Sequence, residues 1–117
     1  MPYDTAWLAQ LTEEIVDPDL PIVDPHHHFW TQSSWGPYML EDLWADTESG
    51  HRIERTVFLE CRSEYYESGP EERKPLGETA FVDSLAREAA ESSNHRVCVS
   101  AIVGHADLNL GARVEEV

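Results

Sequence analysis

Apolar positions recur along this chain with two different periods. Trp7, Leu8, Leu11 and Ile15 follow helical spacing, and Asp4 or Thr5 stands where a cap is needed. Asp17-Pro18 and Leu20-Pro21 stop that helix, because a residue before proline avoids the helical region. The helix is expected to pack across one end of a larger body, with its aromatic face as core. A short apolar lead, Ile22-Val23, then opens a strand near residues 22–27 that runs into an acid, three histidines and two aromatics.

A polar loop over residues 31–37 follows. Leu40, Leu43, Trp44 and Thr47 mark one face of a second helix, which Gly50 can terminate. Residues 56–61 form a short apolar run, read as a strand buried on both faces. Residues 62–77 make a long charged loop with two prolines, and loops of that length are functional or disordered. Phe81, Val82, Leu85, Ala86 and Ala89 line the inner face of a third helix, with Asp83, Arg87, Glu88 and Glu91 outside. Ser92-Ser93-Asn94 ends it, residues 97–103 form a third buried strand, and a further helix begins near Gly111.

Strands alternating with helices imply an α/β fold with parallel strands joined by right-handed crossovers. An open doubly wound sheet announces itself with a glycine-rich turn after its first strand. Histidines stand there instead. In (β/α)8 barrels the chemical groups gather at the carboxyl ends of the strands. Here those ends carry His26 and His28, then Glu60 and Arg62, then His105 and Asp107. The expected architecture is therefore the first three β/α units of a (β/α)8 TIM barrel, preceded by an amino-terminal helix. Such a barrel takes about 250 residues, so residues 1–117 are expected to be a partial, amino-terminal barrel domain.

On a strand, His26 and His28 point one way and His27 the other. Two imidazoles on one face can reach a single ion; His27 is left as packing against the helices. Imidazole suits zinc, iron, manganese or nickel, so the pair alone does not select the metal; a divalent ion, zinc first, is the expectation. Asp24, two residues back, would share the face of His26 and His28 and orient a ligand; a buried acid satisfied by backbone amides is the equal alternative. Glu60 can bind substrate, support a ligand or pair with Arg55 or Arg62. His105, after Gly104, where the backbone can turn sharply, can contact substrate, and Asp107 can cap the terminal helix.

Ile22-Val23-Asp24-Pro25-His26-His27-His28-Phe29-Trp30 resembles the first-strand signature, Asp-x-His-x-His, of the amidohydrolase-related family of metal-dependent TIM-barrel hydrolases. The histidine-rich form followed by Phe-Trp is most similar to the branch containing sugar-lactone and dicarboxylate lactonases. Residues 57–62 and 102–108 resemble that branch's second and third strands. The resemblance implies a hydrolase acting on a lactone or similar C–O or C–N bond through metal-activated water, with His26 and His28 as ligands and Glu60 and His105 as candidate catalytic groups. It also implies further histidines after the fifth and sixth strands and an aspartate after the eighth, beyond the three strands seen here. The alternative is a small non-catalytic metal-binding or interaction module, in which a homo-oligomer would close the sheet edges.

Charge narrows the partners. With 23 acids against 8 bases the net charge is −15, which opposes binding to nucleic acid or to an anionic membrane; the small-molecule substrate is what the resemblance implies. Cys61 and Cys98 lie in apolar runs and make no zinc spacing, so they read as buried free thiols. No signal peptide or spanning segment is seen, and a cytoplasmic protein is expected.

Overall fold

Residues 4–92, 96–97 and 99–117 are described by the structure, a computed structural model. In chain order the elements are α1 (Thr5–Leu8), β1 (Ile22–His27), α2 (Leu40–Thr47), β2 (Ile53–Leu59), α3 (Leu76–Glu91) and β3 (Val99–Val103). Two 3₁₀ segments, Glu71–Arg73 and Leu108–Glu116, complete them. The strands form one sheet in the order β1-β2-β3, and both pairings are parallel. The protein is thus mixed α/β, as the alternation of periods implies. No helix among the described residues is long and apolar enough to cross a membrane.

Both long helices cover the same face of the sheet. Leu40, Leu43 and Trp44 of α2 meet Val82, Leu85 and Ala89 of α3 over Phe58 and Val99, with Phe29 beside them. Burying a side chain such as Val82 completely stabilises by about 1.5–3 kcal/mol, so these few residues carry the sheet–helix contact. The opposite face is bare: Val23 is 55% exposed and Val103 46%. The expectation that β2 and β3 are buried on both faces is corrected accordingly. Along β2, Thr56 and Phe58 are buried, whereas Val57 and Leu59 are only half-buried. The strand also starts earlier than its apolar run, at Ile53, because the backbone pairs with β1 regardless of the charged Glu54 and Arg55.

The first helix is a second correction. Asp4 does cap it, accepting the Trp7 N–H at 2.9 Å. The helix closes after one turn, and Trp7 is 66% exposed rather than core. Leu11 and Val16 are exposed as well. A lone helix this short is marginal in water unless an apolar face is buried, and nothing among the described residues covers this one. At the other end, the helix expected from Gly111 is a 3₁₀ segment starting at Leu108 and kinked at Gly111. Asp107 caps it, accepting the Asn109 N–H at 2.9 Å.

α2 and α3 match their apolar stripes closely. Asp42 accepts the Met39 N–H at 2.8 Å and so begins α2. α3 starts at Leu76, earlier than its first inward aromatic, which shortens the charged loop before it. The Ser93-Asn94 stop and Cys98 lie outside the described residues; Cys61 is a free, half-buried thiol whose pKa burial pushes up.

Candidate functional site

β1 is not a regular strand. Asp24 lies opposite Thr56 and His27 opposite Phe58, so three steps along β1 match two along β2. The extra residue is a bulge, a device that re-aims side chains. It sets Asp24 level with buried Thr56 rather than on the open face with His26 and His28, which corrects the shared-face expectation. Asp24 instead accepts the His26 N–H through Oδ1 at 3.1 Å, stiffening the bulge from within.

Beyond the bulge the histidines separate as alternation requires. His27 turns to the helices, 7% exposed, with its ring edge-on to Phe29 and Phe58 at centroid distances of 4.9 and 5.9 Å. Burial lowers its pKa below the usual imidazole value. Neither of its buried nitrogens makes a hydrogen bond of full geometry, and the His28 backbone is a polar neighbour of the ring. His26 and His28 turn the other way, and their Nε2 atoms stand 3.1 Å apart. His28 Nδ1 lies 2.8 Å from the Leu59 carbonyl oxygen, to which it donates. That bond fixes the tautomer and leaves Nε2 of His28 as an acceptor.

This pair is the part of the structure that fits a metal ion. Two nitrogens each about 2.0–2.1 Å from one ion at a tetrahedral angle lie roughly 3.3–3.4 Å apart, close to the spacing found. The carbonyl behind His28 is the kind of outer partner that metal-bound histidines use. No group of three or more His, Cys, Asp or Glu suited to a metal occurs among the described residues.

Glu60 and His105 come together at the ends of β2 and β3, with His105 Nδ1 3.8 Å from Glu60 Oε1. The Glu60 N–H donates to the Val103 carbonyl at 2.9 Å, extending the ladder by one residue. Glu60 forms no ion pair with Arg55 or Arg62 among those found in the described residues; its ionisable neighbour is His105. Gly104 is needed for room, since a Cβ there would lie 2.9 Å from Thr79 Oγ1. His105, Arg62 and Tyr65 line a cleft of about 460 Å³ beside these strand ends.

One carboxylate that organises this edge was not singled out by sequence reasoning. Glu78, 1% exposed, accepts the N–H groups of Cys61 and Ser63 through Oε1 at 3.0 and 2.7 Å. It holds the turn after Glu60, where Arg62 and Glu64 take φ of 66° and 53°. A signal was present: Glu78, Val82, Leu85 and Ala89 share one helical stripe, so this acid stands in line with core residues. Thr31 donates to Glu64, tying the loop after β1 to the loop after β2.

A mixed α/β chain with a three-stranded parallel sheet and a converging histidine pair is what these observations define. Neither a protein-family model, nor a curated protein, nor a solved structure matches the chain.

Proposed function

We propose that this chain forms the first three β/α units of an amidohydrolase-like (β/α)8 barrel and contributes to the hydrolysis of a lactone or related carbonyl substrate. The observation that carries the reading is the 3.1 Å approach of His26 and His28 Nε2, with His28 anchored from behind by Leu59. The bare sheet face supports the barrel part, because an open doubly wound sheet has helices on both faces, whereas a barrel closes that face on itself.

His26 and His28 would hold a divalent cation, zinc first. Such an ion supplies Lewis acidity toward a carbonyl and lowers the pKa of water toward neutrality. The rest falls to the chain's own groups. Asp24 keeps the His26 backbone in its bulged position, and the Leu59 carbonyl, by taking Nδ1–H, turns Nε2 of His28 toward His26. Glu60 and His105, exposed side by side at the neighbouring strand ends, would bind substrate or carry a proton between its oxygen and solvent.

Titration of Zn²⁺ and Mn²⁺ into the chain, followed by calorimetry, tests the site. One ion per chain is expected for the wild type and for His27→Ala, with the heat lost in His26→Ala and in His28→Ala. Equal binding by His26→Ala and the wild type sinks the metal assignment. A small non-catalytic α/β module is the second reading, favoured because α2 and α3 close a core within the chain itself. Lactone turnover that disappears with His28→Ala decides for the enzyme.

A further inference from the structure

We propose that the cleft between the end of β1 and the turn joining Trp30 to Tyr38 binds a small organic cation with N–H groups, a primary alkylammonium or a guanidinium. The turn is closed by paired backbone bonds, Trp30 N–H to Tyr38 O at 3.0 Å and Tyr38 N–H to Trp30 O at 2.8 Å. It borders about 480 Å³, lined by His27, His28, Trp30, Trp35, Tyr38 and Asp46. That volume suits a small ligand. The inference does not depend on a metal at the histidine pair.

His27 calls for a partner there. A neutral imidazole has one donor and one acceptor nitrogen; both are buried without a hydrogen bond of full geometry in the described structure, the His28 backbone being a polar neighbour of the ring. Leaving such groups unpaired is costly. An N–H of the ligand would meet the acceptor nitrogen.

The walls choose the charge. Trp30, Trp35 and Tyr38 present aromatic rings, whose faces attract cations. Asp46 is the acid of the lining; it takes the Tyr38 hydroxyl on Oδ2 at 2.6 Å, which leaves Oδ1 for an incoming donor. No lysine or arginine lines the cleft. The net charge of −15 further concentrates cations near the surface and repels anions.

The test is an NMR titration of the 117-residue chain, following the indole N–H signals of Trp30 and Trp35. Benzylammonium and methylguanidinium are the probes, with benzyl alcohol and benzoate as the neutral and anionic controls. Saturable shifts with both cations and none with benzoate are expected. Asp46→Asn should weaken benzylammonium binding about tenfold or more. Trp35→Ala, on the exposed outer wall, should weaken it while cooperative unfolding is retained. Tyr38→Phe frees Asp46 and should leave binding equal or tighter. The proposal is overturned if benzyl alcohol binds as well as benzylammonium, if neither cation gives a saturable shift, or if Tyr38→Phe weakens binding as much as Asp46→Asn does.

Discussion

Oε1 of Glu78 lies 2.7 Å from the amide nitrogen of Ser63, at the turn where β2 ends and the long loop begins. A helix residue thereby fixes the backbone that follows Glu60. Removing the carboxylate leaves the half-buried Cys61 and Ser63 N–H groups without that acceptor. Glu78→Ala is expected to cost about 3 kcal/mol, and Glu78→Gln, which keeps one acceptor oxygen, about 1–2 kcal/mol. Urea midpoints at unchanged slope measure both; a loss below about 0.5 kcal/mol for the alanine variant would show that the clamp is idle.

Gly77, one residue earlier, lets that loop come close. A Cβ there would stand 2.5 Å from the Glu64 carbonyl oxygen and 2.6 Å from the Tyr66 nitrogen. Both are backbone atoms and cannot swing aside. Gly77→Ala should therefore destabilise by about 2 kcal/mol despite the better helix propensity of alanine. A stabilised variant in thermal melts would contradict this packing.

His27 separates size from polarity. His27→Ala leaves a hole beside Phe29 and Phe58 and should cost about 2–3 kcal/mol. His27→Leu fills most of the hole and removes two buried nitrogens that lack a hydrogen bond of full geometry, so its stability should equal or exceed that of the wild type by up to about 1 kcal/mol. If the leucine variant is as damaged as the alanine one, the ring nitrogens have partners in solution.

Tyr38 makes stability fall on the alkaline side. Burial, and next the hydrogen bond to Asp46, raises its pKa above the usual phenol value. A raised native pKa means the folded state keeps a proton that the unfolded chain releases. The contribution is full below the unfolded value of about 10 and is lost as pH rises beyond it. Tyr65 is raised too, burial being its first cause, so Tyr38→Phe should remove part of the alkaline loss and not all of it. Urea midpoints from about pH 8 to pH 11 test this; identical slopes for both proteins would exclude Tyr38.

Much of the fold was legible in the chain because short-range periodicity writes it directly. Leu40, Leu43 and Trp44, and likewise Val82, Leu85 and Ala89, could face inward only as helical stripes, and they do. The opposed directions of His27 and of the His26–His28 pair followed from strand alternation alone. Tertiary structure decided the rest. The bulge that moves Asp24 off the histidine face depends on how β1 meets β2, which no local pattern encodes. The amino-terminal stripe of Trp7, Leu8 and Leu11 promised a buried helix, but periodicity shows a face without supplying a surface to cover it. Glu78 binds a turn 15 residues away, and His105 meets Glu60 only after the third strand is laid beside the second. Contacts between distant parts of the chain depend on the relative placement of whole elements, and that placement is settled by packing rather than by any single stretch of sequence.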